Sequence, residues 1–395
     1  MATGFGFSKT VTDGLIFGYD TADGTNSFRG QPTINKFALP GTAGPGPASD
    51  NNVGFEVNGT GTFVRLGWGQ TVGDYLIKPG DVVYKYTLGS NGCHYHGNDI
   101  SIPGGTYATF TMDYYVTPDA TGFPENSTLL VFEIALGGAA TVNSEVGVWR
   151  TLTLTSGPTG GAGTLRMLVY PGGCGPRMAS SGTLYMKNPR VEYRAYSTPF
   201  VNGERTATRS ILDVKNTYTL DVSNLSFVSP GTTNFDGTDD FIQTNITGTF
   251  PRITYEFMGF FDDPTLSTTS RNESAFGDWN SNRVHFGTRW SVGMHWNVNN
   301  GWTQIPTTNL RYGWNHYVLV YDTVTNQKLV YLNGILSNTE TTNGDMVLGD
   351  FKIGVASALG AYYRGNIAVF KIYNRPLSSG EVRQNFNLYR TRFSI

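Results

Sequence analysis

The sequence predicts an all-β protein built from tandem antiparallel β-sandwich (jelly-roll) domains with one short C-terminal helix. Three observations predict this class. Short runs that alternate apolar with polar residues recur along the chain, Gly- and Pro-rich turns separate them, and charged residues reach only 15% while aromatic residues reach 13%. Alternation with period two buries one face of a strand. Many short strands joined by turns indicate a sandwich.

The patterns divide the 395 residues into three segments. Residues 1–40 hold one strand-like run and a polar loop, which is typical of an attachment or linking segment. Residues 41–200 open in the broken stretch "LPGTAGPGPAS" and then carry a first series of strands. Residues 201–395 carry a second series. The interdomain linker lies around "YRAYSTPFVNGERTATRS".

The helix is predicted near the C-terminus by "LSSGEVRQNFNLYR". Val382 and Phe386 are four residues apart, as on one face of a helix. Ser378 followed by Glu381 fits a capping box, in which each residue satisfies a backbone N–H group of the other.

A hairpin is predicted in "GWNHYVLVYDTVTNQKLVYLNGILS". Trp314 and His316 share one face of its first strand with Val318, so we expect this face to point into the core. Asn333 and Gly334 suit a turn with positive φ. The same residues in a ligand site are the alternative.

Three stretches of the second half resemble the concanavalin A-like, laminin G-like jelly-roll superfamily. They are "NFDGTDDFIQT", the hairpin just described, and "YRGNIAVFKIYNRPLSSGEVRQNF" with its Asn-Arg-Pro-Leu turn before the helix. The resemblance implies the fold. It leaves the ligand open, because the superfamily includes lectins, enzymes and spacers.

Residues 41–200 resemble carbohydrate-binding-module jelly rolls, through the closing phrase "LYMKNPRVEYRAYSTPF". A jelly roll followed by a laminin G-like domain resembles tailed-phage virion proteins, namely tail fibres, head fibres and capsid decorations. This resemblance implies a non-enzymatic structural protein on the virion surface, made in the host cytoplasm. It implies attachment to other virion proteins through residues 1–40, self-association as a homotrimer, and contact with host-surface polysaccharide.

Charge and hydropathy exclude several classes of partner. The formal net charge is −2 and no basic run occurs, so we expect no nucleic acid partner. No run of 18 apolar residues occurs, so we expect no membrane span. The start "MATGFGFSKTVTDGL" lacks the charged and apolar regions of a secretory signal.

The densest candidate for ligand binding is the tryptophan-rich stretch from 276 to 302, "FGDWNSNRVHFGTRWSVGMHWNVNNGW". Aromatic faces stack on sugar rings, while amide and carboxylate groups bind hydroxyls. Core or interface packing is the alternative for the same rings. The predicted glycan-binding residues are Trp279, Arg289, Trp290, Trp296, Asn297 and Trp302.

A second candidate is "NGCHYHGND". His94 and His96 lie two apart, so a strand would point both to one side, and Asp99 follows as a third metal ligand. Histidines bonded to the backbone of a Gly-flanked loop are the alternative. Cys93 and Cys174 lie in Gly-rich loops of one domain and form a disulfide if the loops meet.

Two acidic loops are candidates for structural calcium, which takes several oxygen ligands. They are "DTADGTN" at 20–26 and "DGTDD" at 236–240. Asx turns, in which the carboxylate accepts nearby backbone N–H groups, are the alternative for both. No other cofactor is implied.

Catalytic signatures are missing from the sequence. The strand motif E-x-D-x-E of related β-glucan hydrolases and the G-x-S-x-G nucleophile elbow do not occur. We therefore predict a protein that is not an enzyme. A free carbohydrate-binding lectin is the next hypothesis, and a polysaccharide depolymerase follows it.

Overall fold

The computed structural model describes most of the chain, and all structural statements below concern these residues. They are 10–37, 62–87, 100–120, 128–133, 138–141, 145–169, 182–229, 232–261, 272–279, 284–289, 293–306, 310, 313–356 and 360–395. Within them, no helix combines the length and the apolar composition that crossing a membrane requires.

The first half of the chain is made of short strands. They are β1 (Leu15–Asp20), β2 (Thr33–Ile34), β3 (Thr62–Leu66), β4 (Thr71–Val72), β5 (Tyr75–Leu76), β6 (Val83–Thr87), β7 (Ile100–Ile102), β8 (Ala108–Val116), β9 (Thr128–Glu133), β10 (Gly138–Thr141), β11 (Arg150–Ser156), β12 (Gly163–Val169), β13 (Thr183–Glu192) and β14 (Glu204–Arg205).

The second half repeats this pattern and ends in a helix. A 3₁₀ turn at Ala207–Arg209 precedes β15 (Leu220–Asp221), β16 (Ser226–Ser229), β17 (Thr232–Asp236), β18 (Ile242–Thr244), β19 (Gly248–Phe250), β20 (Arg252–Phe261), β21 (Glu273–Asp278), β22 (Val284–Arg289), β23 (Gly293–Val298), β24 (Gly301–Gln304), β25 (Gly313–Asp322), β26 (Gln327–Leu332), β27 (Ile335–Glu340), β28 (Met346–Leu348), β29 (Lys352–Ile353), β30 (Val355–Ala356), β31 (Ala361–Tyr362), β32 (Arg364–Tyr373) and α1 (Ser379–Phe393).

The chain forms two compact units. The inserted unit is Thr33–Arg205, and the split unit combines Met1–Pro32 with Thr206–Ile395. The sequence set residues 1–40 apart as an attachment segment, whereas the structure pairs β1 with β32 of the split unit. The physical reason is burial, since Phe17 and Tyr19 are fully buried in the core of that unit. Attachment to other proteins through residues 1–40 stays a prediction.

The inserted unit consists of two antiparallel sheets around one core. The five-stranded sheet has the order β11-β8-β13-β6-β3, and the four-stranded sheet has the order β10-β9-β12-β7. Alternate residues of β8, such as Phe110 and Met112, point into the core, where Leu165 of β12 also lies. Threonines follow the opposite face, and Thr109 and Thr111 lie within 3.3 Å of threonine hydroxyls on β11.

The split unit is a larger sandwich. Its eight-stranded sheet has the order β16-β17-β32-β20-β25-β26-β27 with β1 paired to β32, and its seven-stranded sheet has the order β15-β18-β29-β21-β22-β23-β24. Aromatic rings fill the space between them. Phe257 stacks on Tyr317 and Tyr255 stacks on Phe276, each with ring centroids 4.7 Å apart. The predicted all-β class is confirmed, with a concanavalin A-like jelly roll.

Helix α1 begins as the sequence predicts. The hydroxyl of Ser378 accepts the backbone N–H of Glu381, and the Glu381 carboxylate accepts the backbone N–H of Ser378. The helix runs for 15 residues, and its Val382 packs against Val318 and Val320 of β25. The face of β25 that carries His316 is therefore buried beneath α1. The expectation that it points into the core between the sheets is wrong, because Tyr317 and Leu319 on the other face fill that core.

The hairpin turn also forms as predicted. Asn333 has φ of 52° and Gly334 has φ of 78°. The Asn333 side chain accepts the backbone N–H of His316 at 2.9 Å, which closes the end of the hairpin. A Cβ at Gly334 would lie 2.8 Å from Phe386 of α1, so a larger residue would collide with the helix.

A buried charge cluster joins α1 to the sheet. Glu256 of β20, His316 of β25 and Lys371 of β32 have fully buried side chains. The Glu256 carboxylate lies 2.9 Å from His316 Nε2, 2.8 Å from Tyr373 Oη and 3.5 Å from Lys371 Nζ. Asn385 of α1 donates to the same carboxylate at 2.9 Å. We call these five residues the Glu256 cluster.

The Glu256 carboxylate is ionised in this setting. Burial alone would raise its pKa, but the Lys371 ammonium and the hydrogen bonds from His316 and Tyr373 outweigh burial and lower the pKa to about 2. Burial lowers the pKa of Lys371, and the negative charge of Glu256 opposes that shift. Each charge is therefore kept in the interior by its partner.

Replacing Glu256 with Gln should destabilise the split unit by about 3–5 kcal/mol, because the Lys371 ammonium would remain buried without its counter-charge. The measurement is the free energy of unfolding in denaturant. Glu204→Gln is the control, since Glu204 is exposed on β14 and its replacement should change stability by no more than about 0.5 kcal/mol. Equal effects of the two substitutions would contradict the role of the Glu256 cluster.

Candidate functional site

The strands β22, β23 and β24 form a meander at one edge of the seven-stranded sheet. Its alternation separates two sets of side chains. Phe286 and Trp296 are paired across β22 and β23 and point into the core. Asn297 is paired with His285 on one side and with Trp302 on the other, so these three lie on the opposite face.

That opposite face carries aromatic, imidazole, amide and guanidinium groups together. We call it the outer tryptophan face and define it by Trp279, His285, Arg289, His295, Asn297 and Trp302. Four of these residues are among the predicted glycan-binding residues, and the two histidines are not. For His295 the sequence carries a signal, namely its spacing of two from Asn297, which puts both side chains on one side of a strand.

Trp302 is the centre of the aromatic contacts. Its ring centroid lies 4.7 Å from that of His295 and 6.2 Å from that of Trp279. The Arg289 guanidinium carbon lies 4.7 Å from the same ring. Trp302 lies on the edge strand β24 and is 40% exposed. It therefore presents indole surface to solvent.

Trp296 is not on this surface. Its side chain is fully buried in the core, 5.9 Å from the ring of Tyr321. Lys328 of β26 lies 4.7 Å from the Trp296 ring and donates to the carbonyls of Trp296 and Gly301. Burial lowers the pKa of Lys328 to about 7. Trp296 is therefore a core residue and not part of the candidate site.

Several predicted site residues lie outside the described residues. These are Trp290, the metal candidates His94, His96 and Asp99, and the disulfide candidates Cys93 and Cys174. The metal site and the disulfide stay predictions.

The histidines of the outer tryptophan face form a buried pair. His295 Nε2 lies 3.0 Å from His285 Nδ1, and His295 Nδ1 lies 3.2 Å from the carbonyl of Gly293. Burial lowers the pKa of His285 to about 3, and the nearby His295 and Arg289 add to that effect. Burial lowers the pKa of His295 to about 4, with a contribution from Arg289. Both imidazoles are neutral near pH 7.

Beside this pair lies an amide with unused hydrogen-bonding groups. Asn297 is fully buried, and within the described part of the chain neither its Oδ1 nor its Nδ2 has a hydrogen-bond partner. A buried polar group without a partner costs about 1–3 kcal/mol.

The acidic loop at 236–240 is organised by backbone hydrogen bonds. Carboxylate oxygens of Asp236, Asp239 and Asp240 lie within 4.8 Å of one another. The Asp240 oxygens accept the N–H groups of Ser226 and Asp236 at 2.8 and 2.9 Å. Asp236 accepts the N–H of Thr238 at 2.7 Å, as in an Asx turn. Calcium at this loop stays a prediction.

The loop at 20–26 has the same kind of organisation. Asp20 accepts the backbone N–H of Ala22 at 2.8 Å and pairs with Arg392 of α1 at 2.7 Å. Asp23 accepts the N–H groups of Thr25 and Asn26. The N–H and guanidinium groups already supply positive partners for both carboxylates, and calcium here stays a prediction as well.

Comparison with known proteins supports the fold of the split unit. Residues 260–383 match a laminin G-type family described as the Concanavalin A-like lectin/glucanases superfamily. The match lies within β20 to α1 and includes the outer tryptophan face. A search of curated proteins gave no match.

Three solved structures illustrate the similarity. Domain 4 of AbnA, an extracellular arabinanase of Geobacillus stearothermophilus solved with arabinotriose, is 16% identical, with a TM-score of 0.32 over 44% of this chain and 81% of its own. The CBM40 of the Ruminococcus gnavus IT-sialidase, bound to α2,3 sialyllactose, is 17% identical, with a TM-score of 0.29 over 34% of this chain and 82% of its own.

The third structure is the binding domain of botulinum neurotoxin serotype D. It is 11% identical, with a TM-score of 0.36 over 46% of this chain. The matched part spans about half (49%) of that domain. At these identities and TM-scores, the three similarities carry no argument about a ligand.

The buried histidine pair predicts how stability depends on pH. The folded pKa values near 3 and 4 lie below the unfolded value of about 6.5, so the unfolded chain binds more protons below about pH 6.5. Stability should therefore fall as pH is lowered from 6.5 towards 4. If the unfolded chain binds two more protons than the folded chain, the free energy of unfolding changes by up to about 2.7 kcal/mol per pH unit.

The measurement is the free energy of unfolding between pH 4 and pH 7 for the wild type and for a His285→Gln, His295→Gln double variant. Other groups also titrate in this range, so the difference between the two slopes is the quantity that matters. We expect a shallower slope for the variant. Parallel curves would show that the folded histidines titrate normally.

Proposed function

We propose that the protein binds carbohydrate without cleaving it, and that the outer tryptophan face of the split unit is the binding site. One observation supports this most strongly. The exposed indole of Trp302 lies across the strand pair from Asn297, whose buried amide has no partner within the described residues.

The two features match the two sides of a sugar. A pyranose ring has apolar C–H patches, which pack against the face of an indole. It also has hydroxyl groups, which both donate and accept hydrogen bonds, as the side-chain amide of Asn297 does. An apolar wall with a few fixed polar groups is the usual composition of a small-molecule site.

The chemistry of the same residues supports binding without cleavage. Most glycosidases need two carboxyl groups beside the scissile bond. None of the six residues that define the outer tryptophan face is Asp or Glu. A depolymerase remains the alternative, and release of new reducing ends from a bound polysaccharide would favour it.

Replacing Trp302 with Ala should weaken glycan binding by at least tenfold, because the stacking surface is lost, and should leave the melting temperature nearly unchanged. Trp68→Ala is the matched control, since Trp68 is 42% exposed and Trp302 is 40% exposed, and Trp68 belongs to the inserted unit. The measurement is binding to a broad panel of bacterial surface glycans, with and without a chelator.

Three results of this panel are informative. Loss of binding in Trp302→Ala alone supports the site, and loss with the chelator adds calcium to it. Equal loss in both variants would move the site away from the outer tryptophan face. Absence of glycan binding by the wild type would contradict the proposed function.

The place of action belongs to the same proposal. The resemblance to tailed-phage virion proteins supports a structural component of a tail fibre, a head fibre or a capsid decoration that displays this site to host-surface polysaccharide. In this proposal the protein is a homotrimer and residues 1–40 contact other virion proteins.

Two measurements test the virion proposal. The protein should remain with phage particles through a density gradient, as detected by mass spectrometry of the purified particles. The isolated protein should have a light-scattering mass of about three chains of 43.1 kDa. Recovery only in the particle-free fraction would contradict a virion role and favour a free lectin.

A further inference from the structure

We infer that the carbohydrate bound at the outer tryptophan face is acidic, and that Arg289 binds its carboxylate. This inference rests on the proposed function and names the chemical class of the ligand. The carboxylate belongs either to a uronic acid or to a sialic-type acid, since both put a carboxylate directly on the sugar ring.

The first observation is that Arg289 lacks an acidic partner. It is the exposed last residue of β22, and within the described part of the chain no carboxylate forms an ion pair with it. Two other arginines of the split unit are paired with carboxylates. Arg375 binds Asp13 and Glu381, and Arg392 binds Asp20. Among the described residues, nothing acidic competes with an anion from solution for Arg289.

The second observation is the contact between Arg289 and Trp302. The guanidinium carbon lies 4.7 Å from the ring centroid, within the range of a cation–π contact. A guanidinium held against an aromatic face still has N–H groups at its edge. Those groups fit a carboxylate in a bidentate arrangement, which is stronger than a bond to a neutral hydroxyl.

The third observation is the charge of the surroundings. His285 and His295 are neutral near pH 7 because burial keeps their pKa values low, and Asn297 carries no charge. Arg289 is thus the one formal charge among the six residues of the outer tryptophan face. Lys328, the nearby cation beneath it, already donates to two backbone carbonyls. An anionic ligand at the outer tryptophan face would therefore meet the positive charge of Arg289, which no carboxylate of the described residues pairs.

The arrangement gives each part of an acidic sugar a separate partner. The ring lies against exposed indole surface of Trp279 or Trp302, the ring carboxylate meets the N–H edge of Arg289, and hydroxyl groups reach towards Asn297. A neutral sugar would retain the first and third contacts. The acidic group therefore decides selectivity, while stacking decides whether any sugar binds.

The test compares each acidic polymer with its own neutral form. The probes are polygalacturonate and polysialic acid, each beside a carboxyl-reduced preparation of the same polymer, with binding measured by titration calorimetry at low and high salt. The variants are Arg289→Gln, Arg289→Lys and Trp302→Ala. Arg383→Gln is the matched control, because Arg383 is an exposed arginine of α1.

We expect at least one acidic polymer to bind at least tenfold more tightly than its reduced form, and salt to weaken that binding. Arg289→Gln should remove this preference without changing the affinity for the reduced form. Arg289→Lys should keep part of the preference, since it keeps the charge and loses the bidentate geometry. Arg383→Gln should have no effect. The polymer that binds identifies which of the two acids is the ligand.

Other results would overturn the inference and are distinguishable from failure of the proposed function. Equal binding of acidic and reduced polymers, or an unchanged preference in Arg289→Gln, would leave a neutral glycan site with no role for Arg289. Equal losses in Arg289→Gln and Arg383→Gln would show a general charge effect. Binding of no glycan at all would contradict the proposed function itself.

Discussion

The architecture of the split unit depends on the burial of one carboxylate, that of Glu256. A buried ion pair adds little net stability over well-packed apolar residues, but losing one partner is costly. In this unit, the buried charges set the register in which the strands pair. Glu256 lies on the central strand β20, which pairs with both β25 and β32. A slip of one residue would turn Glu256 into the aromatic core and away from Lys371. The Glu256 cluster therefore fixes the alignment of three strands and, through Asn385, the position of α1.

That alignment determines which surface remains open to a ligand. The outer side of the eight-stranded sheet is covered, because Val382 and Leu377 pack on Val318 and Val320. Val11 reaches the same place, where its backbone N–H donates to Asn385. In the described part of the split unit, the outer side of the other sheet has no such helix. The outer tryptophan face lies there, on strands held by their pairing to the rest of the sandwich. The Glu256 cluster thus holds in place the helix that covers one sheet, and the proposed binding face lies on the other sheet.

Local patterns predict the elements well, and long-range partners poorly. Asn333 and Gly334 predict their turn, and Ser378 with Glu381 predicts the start of α1, because each signal needs only neighbouring residues. The face of His316 was assigned to the wrong layer because both faces of β25 are apolar, and alternation does not say whether a sheet or a helix covers a face. The sequence does not decide between burial and ligand contact for Trp296, for a related reason. Membership of a tryptophan-rich stretch does not give the phase of each strand, and the turn before Gly301 resets it.

The composition of the outer tryptophan face is difficult to explain by stability alone. A face that served only to cover the sheet would be more stable with an apolar residue at position 297, since a buried polar group without a partner costs free energy. Instead, the chain holds two neutral histidines and an amide with unused groups beside an indole that stays 40% exposed. Arg289 adds a charge that no carboxylate of the described residues pairs. Under the proposed function, a sugar ring with hydroxyl groups and a carboxylate would supply partners for these groups.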